Sequence, residues 1–275
     1  MQKVLKLIIT GLLALTLAAC SNYDENTENY EVRTPITADA LVTGGTLAGQ
    51  TSSSICIDTI SYLFGRLDAI LDADADGGYH WGVSLSGPVV IADAITRYAV
   101  ANMPDVEGEI LTKQGNYYVG RLPEGTLIGN TASFFGDRRW GMVTWGLVES
   151  NADNLDFVVD ILLHELFHAM QPDIFEGVRI SYAPNPPHMR EVDSRISIGL
   201  EINALLHALR NTGDERLSAV HDALSIRAER RRLNDVDAAL FENAFEIVEG
   251  TATYTQVVLR RDIPDGRIAL INSIY

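Results

Sequence analysis

The stretch from Asn154 to Gln171 constrains the fold of this chain more than any other. It carries Leu155, Phe157, Val158, Val159, Ile161, Leu162, Leu163, Leu166, Phe167, Ala169 and Met170, so it is apolar almost all round. A helix that is apolar on every side belongs inside a protein. Within it stands His164-Glu165-Leu166-Phe167-His168. Side chains four apart share one helical face, so the two imidazoles point the same way. Two histidines and a carboxylate are costly to bury there unless something satisfies them. A zinc ion would do so, with Glu165 beside the pair to take a proton from a zinc-activated water. Asp153 or Asn154 is expected to cap this helix and Pro172 to stop it.

Around that helix the chain changes character. Ser61 to Leu71 has helical spacing through Leu63, Leu67, Ile70 and Leu71. Asp72-Ala-Asp-Ala-Asp-Gly77 imitates the start of a calcium loop, but Val83 stands where the twelfth-position carboxylate belongs, so it reads as an acidic turn. From Gly87 to Val148 strands dominate: Val89 to Ile91, Asn116 to Arg121 and Trp140 to Leu147. The last of these, just ahead of the histidine helix, is the expected sheet edge. Beyond it three helices are expected, over about Val192–Arg210, Asp214–Arg231 and Asp235–Arg260, with Pro184 to Pro187 a loop. Strands first and helices after predict an α+β fold with a β-rich N-terminal half packed on a helical C-terminal half.

Composition limits what the chain can bind. Its formal charge is -16, which makes it a poor partner for nucleic acid. Lys3 and Lys6 open a short basic region, and Leu7 to Ala19 is apolar but too short for a stable membrane span. Leu17-Ala18-Ala19-Cys20 resembles a bacterial lipobox. The resemblance implies a signal peptide over residues 1–19, a lipid on Cys20 that holds the protein to a membrane, and a place in the bacterial cell envelope. Ser21 fits outer-membrane sorting; the face, periplasmic or external, stays open. Residues 20–54 are polar and aperiodic and read as a tether, leaving a domain over 55–275. The chain has two cysteines. With Cys20 consumed by lipid, Cys56 has no partner and reads as a small buried apolar residue. The abrupt apolar end Ile271-Asn-Ser-Ile-Tyr275 fits either a natural C-terminus or a truncated longer product.

Catalytic zinc takes three protein ligands. Residues 169–174 lack the glycine and histidine that would continue a metzincin pattern. In the last expected helix, Glu242, Glu246 and Glu249 recur at i, i+4 and i+7, which places all three on one face. Glu242 and Glu246 are expected to pair with Arg227, Arg230, Arg231 or Arg232. Glu201, beside Leu205, Leu206 and Leu209, is expected to be a salt-bridge partner as well. All three acids are also candidates for a supporting place behind the metal ligands.

Glu249 heads Glu249-Gly250-Thr251-Ala252. Together with His164–His168, this resembles the gluzincin clan of zinc metallopeptidases, and more closely a group of bacterial lipoproteins that carry both motifs. Asn130-Thr131-Ala132 and Arg139-Trp140-Gly141-Met142-Val143 belong to the same resemblance, which covers roughly residues 85–260. It implies His164, His168 and Glu249 as zinc ligands, Glu165 as general base, and hydrolysis of peptide or protein substrates. Two features depart from the pattern: the long interval between His168 and Glu249, and Thr253 where many members have an acid. The second departure leaves the partner that orients the histidines unassigned. His188, Arg190 and Tyr254 are the candidates for stabilising an oxyanion. An inactive zinc-containing binding lipoprotein and a fragment of a longer peptidase are the alternatives.

Overall fold

The computed structural model describes residues 55–175, 186–234 and 237–260. The expected signal peptide, the Cys20 anchor, the tether and the C-terminal stretch lie outside them. The fold is α+β, with a six-stranded sheet in the N-terminal half and helices in the C-terminal half. The described part of the expected domain falls into two compact units, 55–175 and 186–260. No described helix is long and apolar enough to cross a membrane.

The first unit opens with α1, Ile57–Asp76. Ile60, Leu63, Phe64, Leu67, Ile70 and Leu71 bury its inner stripe, at the spacing of one helical face. The helix runs straight through the acidic segment, so the expected turn begins only at Gly77. Asp74 is buried, and its Oδ1 accepts the backbone N–H of His80. Among the described residues no calcium-type cluster forms there.

Six strands follow: β1 (Val89–Ala92), β2 (Tyr98–Ala101), β3 (Thr112–Gln114), β4 (Tyr117–Arg121), β5 (Thr131–Phe135) and β6 (Arg138–Thr144). Their order in the sheet is β3-β4-β2-β1-β6-β5. Only β1 and β6 run parallel, with Val89 beside Gly141 and Ala92 beside Thr144. All four residues of β1 are buried, as a central strand covered on both faces requires. One face of the sheet carries an apolar cluster of Val90, Ala92, Ala99, Ala101, Leu111, Leu122, Phe135, Trp140 and Met142. Opposite residues of paired strands project to the same side. Ala132 lies opposite Gly141 and Phe134 opposite Arg139, so these four share the other face.

Two expectations fail in this region. The strand beginning near Trp140 ends at Thr144, because Thr144 caps a short helix, α2 (Trp145–Ser150), its Oγ1 accepting the Leu147 N–H at 3.3 Å. Nor is β6 an edge: it lies between β1 and β5, and the edges are β3 and β5. The parallel partner β1 comes from far back in the chain, a pairing no local pattern announces.

Helix α3, Leu155–Ile174, carries the His-Glu-Leu-Phe-His motif. Asn154 is its N-cap, with Oδ1 accepting the Phe157 N–H at 3.4 Å. Pro172 does not stop it. The helix continues to Ile174, because a proline in the last turn forfeits only one bond, and Phe175 N–H still reaches the Gln171 carbonyl. The helix packs on β6, β5 and α1.

The second unit begins with a 3₁₀ turn, Pro187–Arg190. Helices α4 (Val192–Arg210) and α5 (Gly213–Leu233) follow, joined by two residues and packed on each other as a hairpin. Their apolar contact is small: Leu205 and Ala223 are buried with Val257, flanked by Ala204, Leu206, Leu209 and Val220. The expected final helix is interrupted. It consists of α6 (Ala238–Phe245), a π-helical turn (Glu246–Gly250) and α7 (Thr251–Leu259).

Candidate metal centre

The sheet seats α3 by direct backbone contact. A Cβ built on Gly141 would lie 2.5 Å from the Leu166 backbone nitrogen and 2.8 Å from the Glu165 carbonyl carbon. At Gly87 the approach is to side chains instead: a Cβ there would meet Met170 and Leu166. Only glycine lets β6 approach the helix this closely at the residue next to the proposed base. Trp81, Phe167 and Phe175 pack around the far end, with ring centroids 5.3 Å apart for the first pair. The histidine turn is therefore held from the sheet side by apolar and aromatic contact.

On this helix His164 and His168 bring their Nε2 atoms to 3.0 Å. Two nitrogens on one tetrahedral zinc, each at about 2.0–2.1 Å, stand roughly 3.3–3.4 Å apart. The pair is therefore spaced for a shared ion. Nδ1 of His168 lies 3.4 Å from Oε1 of Gln171, one turn on. In the tautomer that carries its proton on Nδ1, the imidazole donates to this amide oxygen and Nε2 is the atom able to ligate a metal. Gln171 is buried, and its amide lies within reach of His168, whose orienting partner the sequence leaves unassigned. Its position three after His168 was the available signal. Glu165 is 4 % exposed and His164 7 %, so both are withdrawn from bulk water. Asp160, one turn before His164, is a further buried carboxylate of this helix that sequence reading passed over.

Glu249 lies in the π-helical turn and is half-buried. The ligand atoms of His164, His168 and Glu249 all lie within 4.8 Å of one another, a spacing at which the three can hold a metal ion. Among the described residues no other group of this kind forms. Thr253, one turn past Glu249, is buried, and its hydroxyl has no hydrogen-bond partner among the described residues.

The remaining candidates go elsewhere. Glu242 accepts from Arg230 through both oxygens, at 2.8 and 3.1 Å, and from Arg231 at 2.6 Å. Nε2 of His188 lies 2.8 Å from Glu242 Oε1. Glu201 bridges Arg227 and Arg230, both at 2.6 Å. Glu246 meets Arg227 at 2.8 Å. The arginine pairings expected for these acids are thus present, except that Arg232 turns to Glu229 on the surface. Burial raises the pKa of Glu242, but the hydrogen bonds and charge of Arg230, with Arg231 and His188, prevail and hold it at about 2. Glu246 goes the other way. Burial dominates over Arg227 and Arg231, Glu201 and Glu242 add repulsion, and its pKa is pushed up to about 7. His188 is structural here, its Nε2 engaged with a carboxylate. Arg190 is exposed, and Tyr254 is half-buried. His207 and His221 are exposed on α4 and α5. Cys56 is half-buried at the N-cap of α1, where hydrogen bonds from Thr59 lower its thiol pKa.

No protein-family model, curated protein or solved structure matches this chain.

Proposed function

We propose that the protein is a zinc metallopeptidase of gluzincin type, lipid-anchored through Cys20 in a bacterial cell envelope. The observation that carries the reading is the meeting of His164, His168 and Glu249. Two imidazoles and one carboxylate are the donor set of hydrolytic zinc, and three protein ligands leave a position for water. When bound, zinc supplies a water acidic enough to attack near neutral pH and polarises the carbonyl under attack. The chain's own residues do the rest. Glu165, adjacent to a ligand and 4 % exposed, takes the proton of the attacking water and passes it to the leaving amine. Gln171 fixes the His168 tautomer.

Substrate adds as a strand to the free side of β5. This edge replaces the one expected at β6, and it belongs to the same unit as the histidine helix. Ala132 of β5 lies opposite Gly141, and Gly141 touches the helix at Glu165 and Leu166. Exposed Phe134 shares that face and offers an apolar surface to a substrate side chain.

The test is cleavage of a mixed peptide library by the purified zinc-loaded protein. Glu165→Gln is expected to lower turnover by about 10²–10⁴ with zinc still bound. A wild-type protein that holds zinc and cleaves nothing would instead be the binding lipoprotein.

A further inference from the structure

We propose that Arg227 is a positioning residue for Glu249 and acts through Glu246; the inference rests on the zinc reading above. Three observations support it. Glu242, Glu246 and Glu249 would lie on one stripe of an unbroken α-helix, since each residue advances about 100°. A π-helical turn over Glu246–Gly250 breaks that phase. Its wider i→i+5 ring advances less per residue, so Glu249 is rotated off the stripe that its two predecessors follow. Glu242 and Glu246 accordingly are buried among arginines, whereas Glu249 is half-buried and meets the histidine pair.

A π turn is rare because its geometry is less favourable than α, so something must hold it. Glu246 is its first residue, and Arg227 grips that carboxylate with both terminal nitrogens, at 2.8 Å to Oε1 and 3.2 Å to Oε2. The same guanidinium holds Glu201 of α4 through Nε at 2.7 Å. One planar fork thus ties α4, α5 and the start of the π turn, a geometry a lysine cannot reproduce. Arg231 is the natural contrast. It holds Glu242, a full turn earlier, at 2.6 Å and stands 4.0 Å from Glu246. The structure therefore assigns the start of the π turn, and through it the direction of Glu249, to Arg227 and not to the cluster as a whole.

The experiment measures zinc affinity of the purified full chain by chelator competition, with the visible spectrum of the cobalt-loaded protein as a report on ligand geometry. Arg227→Met is expected to weaken zinc binding by about 10-fold or more, the scale of a lost supporting contact. Its cobalt spectrum should move toward that of Glu249→Ala. Arg231→Met should lower the melting temperature but leave zinc affinity within about twofold of wild type. If Arg227→Met does not fold, Arg227→Lys decides, since it keeps the charge and loses the fork; its zinc affinity should also fall. Wild-type affinity and an unchanged cobalt spectrum in the Arg227 variant that folds would overturn the proposal, while loss of zinc in Glu249→Ala left the zinc reading standing. A wild-type chain that loads no zinc would overturn both.

Discussion

Helix α3 is seated by apolar contact and by glycine, whereas the run from Ala238 to Leu259 adds a buried ion network to its apolar contacts. The first presents two histidines from a regular helix pressed on a sheet, where Gly141 leaves no space for even a methyl group. The second carries Glu249 in a π turn whose first residue, Glu246, meets Arg227, while Arg230 and Arg231 hold Glu242 one turn earlier. Apolar seating is indifferent to pH and tolerates no added volume. A buried ion network is the reverse: each carboxylate depends on its arginine, and removing one partner leaves an uncompensated charge. The two regions should therefore fail under different insults.

The largest effect is expected at Arg230, which is 2 % exposed and joins Glu201 to Glu242. Arg230→Met should cost about 4 kcal/mol of stability, read as a shift of the urea midpoint. Replacing Arg230 and Glu242 together by apolar residues of similar size should recover part of that loss, because Glu201 keeps Arg227 as its partner. A single-variant cost under about 1 kcal/mol would mean that apolar contact, not charge, holds this region too.

Acid separates the two regions next. Glu242 titrates at about 2 in the folded chain against an ordinary 4.5. A lowered carboxylate contributes stability above its unfolded pKa and loses it as pH falls toward the folded value, here about 3 kcal/mol between roughly pH 5 and pH 2. Glu246, raised to about 7, has the opposite sign: the folded chain keeps its proton longer, and stability falls as pH rises from 4.5 toward 7. Urea unfolding followed against pH should show both limbs. Glu242→Gln should flatten only the acid limb, and Glu246→Gln only the neutral one.

The sheet side should yield to volume instead. Gly141→Ala places a Cβ against backbone that cannot rotate away, and about 2 kcal/mol of destabilisation is expected, with no dependence on pH between 4 and 8. Thermal melts at two pH values measure it. A pH-dependent cost would show that the seat of α3 also relies on ionised groups.

The same contrast explains what could be read from the sequence. Helices α3 and α4 were legible because their apolar spacing is a local signal, and Asn154 marks the start of α3. The arginine partners of Glu201, Glu242 and Glu246 were legible because buried acids demand cations and the candidates were few. Strand β3 was not, since Thr112, Lys113 and Gln114 are all exposed and show no apolar alternation. Strand β5 was hidden because its free edge leaves Phe134 on the surface, breaking the pattern of a buried strand. The π turn has no signature in residue type, so the acids from Glu242 to Glu249 looked like one stripe. The place of β6 inside the sheet depends on β1, far back in the chain, and no window around Trp140 contains that partner.

The smallest expected effect tests whether the histidine pair needs polar support. Oε1 of Gln171 stands 3.4 Å from His168 Nδ1, a long hydrogen bond. Losses on removing such a support run from about 10-fold to 100-fold in metal affinity, and a long bond belongs at the lower end. Gln171→Leu keeps the volume and removes the acceptor, so zinc binding should weaken about 10-fold, or roughly 1.4 kcal/mol. Gln171→Glu offers the imidazole a charged acceptor and should restore or tighten binding. If the leucine variant instead binds zinc as wild type does, the packing of α3 on the sheet alone orients His168. The two halves of the centre would then differ completely: one set by apolar volume, the other by charge.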